Sequence, residues 1–341
     1  MLPGELTPLL QEHCTRLGQA ADSFREAAAI VTSFTGVKVS ESTVRRLTEG
    51  GGVALLAQET EAASAAAAPC GTAEEAPAQV YLSVDGAMVP VLHGEWREVK
   101  TLVIGVPEPA SGLPRERAEQ ETVCKQLSYF SRMEEVGRFT ELAKVEVRRR
   151  RVVEAEQAAA GSDGSEWCQR VFDTHRSDAV RILDFTHGAG YVKESAEVIF
   201  GKSFESGEQW VAKQLHRLKH EGGPPVVAAL RAWEAALKDP AEQKAVAQSR
   251  NYLEKRETML RYPEFRAAGW PIGTGSVESG NKLVVERRLK GPGMHWAEGN
   301  VNPMLALRNA SCSRRWEAAW RQIVLGRRSA PQPAEATRAK A

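Results

Sequence analysis

The sequence predicts an α/β protein: a mixed sheet interrupted by an all-helical insertion and preceded by a helical region. Three observations carry this. Strand-like apolar runs begin at residue 79, after a stretch of helical periodicity. Helix-like and strand-like segments alternate from about 134 to 199, and residues 203–262 show no strand pattern at all. With 341 residues, 42% hydrophobic and 26% charged, the chain has the size and composition of a globular protein with two or three domains.

Residues 1–57 read as helical. SFREAAAIVTSFTG has apolar positions at helical spacing and stops at Gly36; VKVSESTVRRLTEGGG restarts with Ser40 or Ser42 as N-cap. Two helices joined by a Gly-containing turn, the second displaying Arg45 and Arg46, fit a helix-turn-helix that binds DNA. A plain helical pair fits the same pattern. Residues 58–78, rich in Ala, Pro and Glu, read as a linker.

The first part of the core is expected over 79–202. VYLSVDG, MVPVLHG and WREVKTLVIGVPEP read as three strands of an antiparallel meander, followed by a long polar stretch. Helices are expected at 134–153, about 165–176 and about 187–199, with AVRILDF as a strand between the last two. Residues 203–265 read as the insertion, with Trp210 and Trp233 as aromatic anchors. The second part of the core spans 266–312, with a helix near 298–310. Residues 313–341 form a basic tail that takes on the composition of disorder after about 325.

Several classes are excluded. Five scattered cysteines with no CxxC spacing argue against a disulfide framework and a zinc site. No apolar run approaches the ~20 residues of a membrane span, and no leader pattern opens the chain, so a cytoplasmic protein is expected. The net charge of +1 gives no global pull towards polyanions. Local clusters do: Arg148 to Arg151, then Arg287, Arg288 and Lys290, then Arg314, Arg315, Arg321, Arg327 and Arg328. Solvated helix faces are the alternative for each cluster.

Three acids carry the chemical argument. Asp85 ends an apolar run in VDG, where a hairpin turn is the competing explanation. Asp163 sits in GSDGSEW after an Ala-rich segment lacking β-branched residues, where an N-cap competes. Asp184 in ILDF, at the end of a better strand, rivals it. Glu278 lies one turn into a helix after Gly273 and Gly275, where the helix dipole alone favours an acid. GSVESGNK is not a phosphate-binding loop, because Asn281 stands where lysine belongs and no apolar strand precedes it. Taken together, Asp85, Asp163 and Glu278 suit two-metal phosphodiester chemistry, which needs oxygen ligands at short separation.

The blocks SFREAAAIVTSFTGVKVSESTVRRL, VDGAMVPVLHGEWREVKTLVIG, SDGSEWCQRVFDTHRSDAVRILDFTH and WPIGTGSVESGNKLVVERRLKGPGMHW, with LALRNA beyond, resemble bacterial insertion-sequence transposases of the Kra type, related to Mutator-like transposases. The likeness covers roughly residues 20–310. It implies a ribonuclease-H-like core with an Asp-Asp-Glu triad at Asp85, Asp163 and Glu278, holding two Mg²⁺ with Mn²⁺ as substitute. Asp184 and His187 match a second signature near the site, with His187 as a hydrogen-bond donor to the scissile phosphate or the leaving oxygen. The implied partners are DNA, as element terminal repeats and target, and further copies of the chain. Arg287, Arg288 and Lys290 are expected at the DNA backbone, and Trp210 either stacks on an unpaired base or anchors a core. Members of the group often carry a longer N-terminal region with paired cysteines, which this sequence lacks. A metal-dependent nuclease without strand transfer and a catalytically inert DNA-binding regulator are the competing functions. A two-carboxylate hydrolase such as a glycosidase would leave the basic clusters without a role.

Overall fold

A computed structural model describes residues 6–65, 75–110, 122–201 and 204–329. Residues 66–74 of the expected linker, Cys70 among them, and the last twelve residues of the tail fall outside this set.

Three helices open the chain: α1 (Pro8–Ala20), α2 (Phe24–Thr35) and α3 (Glu41–Ser64). Each starts where a hydroxyl caps it. Thr7 accepts from the Leu10 N–H, Ser23 from Glu26 and Ser40 from Thr43, which satisfies amides that the first turn leaves without carbonyl partners. Gly36 takes the left-handed φ of 69° that ends α2. Cys14, Ala27, Val31 and Val44 form a small core among the three. The expected boundary at 57/58 falls inside α3, which runs on to Ser64 and joins the main body. Its Leu55 packs with Ala306, Leu307 and Trp316, and its Gly52 lies so close to the Pro303 carbonyl that a Cβ there would stand 2.5 Å away.

The sheet has five strands in the order β3-β2-β1-β4-β5: β1 (Gln79–Pro90), β2 (Trp96–Pro109), β3 (Thr122–Arg132), β4 (Gln157–Ser162) and β5 (Val180–Leu183). β1 to β3 pair antiparallel, while β1–β4 and β4–β5 pair parallel. The runs VYLSVDG and MVPVLHG are one strand rather than two. Asp85 and Gly86 sit mid-strand opposite Thr101 and Lys100, and the chain turns later, at residues 91–95, where His93 and Gly94 take φ of 70° and 81°. The segment read as a long polar stretch contains β3, whose outer half is too exposed to alternate cleanly. Helices α4 (Val136–Arg149), α5 (Glu166–His175) and α6 (Phe185–Phe200) lie where helices were expected.

The Ala-rich β4 is central, and its composition follows from that position. Ala158 and Ala160 face the core of α4 and α5, together with Val80, Leu82 and Val84. Ala159 faces the opposite core, with Tyr81 and Ile182. Gly161 is required because a Cβ there would stand 1.8 Å from the Tyr81 hydroxyl. A strand covered on both faces, with an aromatic ring crossing it, has no room for β-branched bulk.

The expected insertion is helical throughout the described residues: α7 (Phe204–Glu221), α8 (Gly223–Ala236), α9 (Pro240–Glu254), a 3₁₀ turn (Glu257–Leu260) and α10 (Tyr262–Ala267). Its core is continuous with β5 and α6 through Ile182, Leu183, Val192 and Leu260. The chain then enters α11 (Gly275–Gly280), a π-helical segment (Asn281–Glu286) and α12 (Arg287–Leu289), and ends with α13 (Glu298–Cys312) and α14 (Trp316–Ser329). Residues 316–329, placed in the tail from sequence, are thus a helix docked on α3 by Trp316, Ala319 and Ile323. Among the described residues no helix is long and apolar enough to cross a membrane.

Candidate functional site

Strand register brings the first two acids together. The last parallel pair of β1 and β4 is Ser83 with Gly161, and Asp85 and Asp163 each lie two residues further along. Side chains repeat every second residue along β1, so Asp85 emerges on the face of Ser83, while Asp163 stands just past the end of the neighbouring parallel strand, about 4.8 Å away. Ala87 and Val89 share that face of β1 and pack against Val277 and Val284 of the helix that follows the insertion. Gly280 lets this helix settle onto the sheet, since a Cβ there would come 2.9 Å from Val103. Glu278, on the same helix, is exposed, and its charge reaches Asp85.

The electrostatics agree with this placement. Burial pushes the Asp85 carboxyl above the usual carboxylate range, and the charges of Asp163 and Glu278 push it the same way. Hydrogen bonds from the Gly86 backbone and the Asn281 side chain pull it partly back. The three acids are therefore within electrostatic reach of one another, but they are not in ligand contact. Among the described residues, no three His, Cys, Asp or Glu side chains stand close enough to hold a metal ion. The donor set still fits a hard divalent cation, because its ligands are all oxygens and a cation would relieve charge confined at Asp85. The three carboxylates have to draw closer together for all of them to share one.

The Asp163 loop is clamped. Asp163 Oδ1 accepts from the Ser165 N–H at 2.9 Å, and the Ser162 hydroxyl accepts from the Gly164 N–H at 3.1 Å. From the helical region, the Tyr252 hydroxyl donates to the Asp163 carbonyl, and Arg256 Nε and Nη2 donate to the Gly164 carbonyl at 3.1 and 2.9 Å. The Arg256 guanidinium lies 3.7 Å from the centre of the Tyr252 ring, which stacks on Tyr191. Gly164 has φ of 82°, and a Cβ there would meet Arg256 and Leu183.

Asp184 has a structural task. It is 5% exposed; Oδ2 accepts from the His187 N–H at 2.7 Å, capping α6, and Oδ1 accepts from the Thr274 N–H at 2.8 Å. The Phe185 N–H donates to the Ile272 carbonyl, and the Tyr81 hydroxyl to Gly273. The loop before Glu278 is thus tied to β1 and to the start of α6. His187 lies 5.8 Å ring to ring from Tyr252, beside the Asp163 loop.

The expected DNA contacts divide. Arg45, Arg46 and Arg287 are exposed, with Arg45 paired to Glu49 at 2.9 Å. Arg288 is not displayed: it is 2% exposed, lies between Phe24 and Trp296 at 4.7 and 5.1 Å, and donates to the Gly18 carbonyl. Burial pushes its pKa down to about 10. It serves to dock the N-terminal helices on the core. Lys290 pairs with Glu286 at 3.2 Å. Trp210 packs against Phe200 in the helical core, a stem rather than a displayed ring.

Asn281, Tyr252 and Arg256 join the site although sequence reasoning did not point to them. Asn281 is buried; its Nδ2 donates to Asp85 Oδ2 at 2.9 Å and its Oδ1 has no hydrogen-bond partner among the described residues. It opens the π-helical segment, a distortion frequent at functional sites. Its position one turn after Glu278 is the available signal, but read locally it only argues against a phosphate loop. Tyr252 and Arg256 could not have been linked to Asp163 across some ninety residues. No family model matches the chain, and no curated protein matches it.

Proposed function

We propose that this chain is a DNA transposase of the Asp-Asp-Glu, Kra-type kind, with a ribonuclease-H-like catalytic core. The observation that carries the reading is the parallel register that sets Asp85 beside Asp163 beneath the helix bearing Glu278. The sheet order, with three antiparallel strands followed by two parallel ones, supports the fold.

Asp85, Asp163 and Glu278 would hold Mg²⁺, two ions in the full site, which supply neutralisation of the scissile phosphate and a water activated at neutral pH. The chain's own groups set the geometry. Asn281 orients Asp85, Tyr252 and Arg256 fix the backbone of Asp163, and Asp184 with Tyr81 fixes the loop leading to Glu278. His187, at the rim, donates to a phosphate oxygen. In the first reaction the water oxygen bonds to phosphorus, the bond to the 3′ oxygen breaks, and that oxygen leaves with a proton as a 3′-hydroxyl. In the second, this hydroxyl attacks a target phosphate and the displaced 3′ oxygen takes up a proton. Two copies of the chain would bring two element ends together.

Asp85→Ala should lower Mg²⁺-dependent cleavage of element-end DNA by about 10³-fold or more, while DNA binding in EDTA persists. A wild-type protein that binds DNA but never cleaves it with Mg²⁺ or Mn²⁺ points to a regulator. Cleavage without joined products points to a nuclease.

A further inference from the structure

A cavity of about 1570 Å³ opens between the edge strand β3, the end of α4 and the α13–α14 corner. That is larger than the ~300–1,000 Å³ of small-molecule sites. Eight arginines and one lysine line it, against two glutamates. Both glutamates already have cationic partners: Glu108 pairs with Lys125 at 3.4 Å and Glu317 with Arg16 at 3.7 Å. Arg149 and Arg315 are engaged by the buried Glu146. Arg287, Arg314 and Arg321 are exposed, with no carboxylate in salt-bridge range among the described residues. Behind them the buried Arg308 donates to the carbonyls of Leu283 and Val284 and to Gln19, so its charge is not cancelled. Burial holds its pKa below the ordinary value, and the Arg287 charge acts in the same direction.

The backbone is also bent to shape this wall. Gln126 and Arg314, both lining the cavity, take left-handed φ of 50° and 58°, which side chains other than glycine rarely adopt. Gln126 belongs to a bulge in β3 opposite Gly105. Ser313 and Asn309 seal the strand edge from Tyr129 onward, at 3.0 and 3.1 Å, and the cavity lies over the residues before it. Arg287 follows Glu278 by nine residues on one helical run, roughly 13 Å along its axis.

We propose that this cavity is a nucleic-acid track, in which Arg287, Arg314 and Arg321 take backbone phosphates of the strand that leads to the acidic site. Arginine suits phosphate by its planar, bidentate donors. The proposal rests on the nucleic-acid reading above, but not on its catalytic step.

The test is binding of a fluorescein-labelled random-sequence oligonucleotide, single- and double-stranded, in EDTA across a salt series. Arg314→Glu with Arg321→Glu should weaken binding by about 10-fold or more. The log–log salt slope should become shallower by about 0.9 for each phosphate that is no longer neutralised. Arg314→Gly removes the charge and relieves the backbone, so it should weaken binding with no loss of thermal stability. Lys238→Glu with Lys244→Glu, a charge-matched change on the helical region, should alter binding less than about 2-fold. Equal weakening by both pairs, or none by the arginine variants, overturns the proposal. So does polyglutamate or inorganic pyrophosphate binding as tightly as the oligonucleotide and failing to bind the same variants. Absence of Mg²⁺-dependent cleavage leaves the track intact, and unaltered binding in the variants leaves Asp85, Asp163 and Glu278 untouched.

Discussion

Asp163 and Glu278 flank Asp85 and are held in opposite ways. The Asp163 loop is pinned from its own chain by Ser162 and Ser165 and from the helical region by Tyr252 and Arg256. The Glu278 carboxylate has no hydrogen bond or ion pair among the described residues, Thr274 gives its helix no side-chain cap, and a π-helical segment follows. The helical region thus acts as a clamp on one wall of the site. On the opposite wall the helix is seated on the sheet by Val277 and Gly280 and tied by Asp184 on Thr274 and Asn281 on Asp85, but nothing holds the Glu278 side chain itself among the described residues. A site whose three acids stand apart needs one side that can close, and this arrangement assigns the movement to Glu278.

The largest expected effect tests that asymmetry directly. Lengthening the pinned acid by one methylene, Asp163→Glu, should lower Mg²⁺-dependent cleavage by about 10³-fold, because the clamped backbone cannot retreat and about 1 Å of misplacement costs on the order of 10². Shortening the adjustable one, Glu278→Asp, should cost only about 10-fold, since an exposed carboxylate without a hydrogen bond among the described residues can re-aim. Single-turnover cleavage rates of the two variants give the comparison. Equal losses, or a greater loss for Glu278→Asp, would show that the walls do not differ in stiffness.

A smaller effect is expected from loosening the clamp. Arg256→Ala removes two hydrogen bonds to Gly164 and the guanidinium over Tyr252, and should destabilise the fold by about 1.5–3 kcal/mol in urea unfolding. Tyr252→Phe keeps the ring stack and loses one hydrogen bond to a carbonyl, for about 1 kcal/mol. Both should narrow the gap between Asp163→Glu and Glu278→Asp, because a freed loop tolerates the longer side chain. If the gap is unchanged in the Arg256→Ala background, the helical region is not what stiffens this wall.

How much of this could be read from the sequence differs between the same two walls. Local signals marked some helix ends, with Ser40 and Gly36 as caps, but α3 runs on through Gly50 to Gly52 as far as Ser64 and residues 316–329 form a helix where a tail was expected, because both are held by packing on distant elements. The strands were harder. VDG carries the strongest short hairpin signal, yet β1 runs straight through it, because Gly86 makes room for Glu98: a Cβ there would stand 2.3 Å from its carboxylate. AAAG reads as a weak strand because the reason for its small residues, the Tyr81 ring crossing Gly161, lies on another strand. The acids of the site were visible as residue types in unusual settings. Their supports were not, because Tyr252, Arg256 and Asn281 meet the aspartates only through contacts between residues far apart in the chain.

The smallest effect concerns Asp85, which the two walls share. Its folded-state pKa is raised, by burial first and then by Asp163 and Glu278. A raised acid prefers its protonated form in the fold, so its contribution to stability is present below the unfolded pKa and is lost as pH rises through the folded one. At neutral pH the ionised carboxylate therefore costs stability. Asp85→Asn removes that charge while keeping an oxygen for Asn281 to donate to, so the variant should melt above wild type at neutral pH. The difference should shrink as pH falls through the carboxylate range, where wild-type Asp85 takes up its proton. Adding Mg²⁺ at neutral pH should raise the wild-type melting temperature more than the variant's, because the variant keeps Asp163 and Glu278 but lacks the buried carboxylate between them. Melting curves with and without Mg²⁺ at several pH values check both. A variant that melts below wild type at neutral pH would mean that the hydrogen bonds to Asp85 outweigh the repulsion from Asp163 and Glu278. The pressure for Glu278 to stand off from the aspartates until a cation arrives would then be absent.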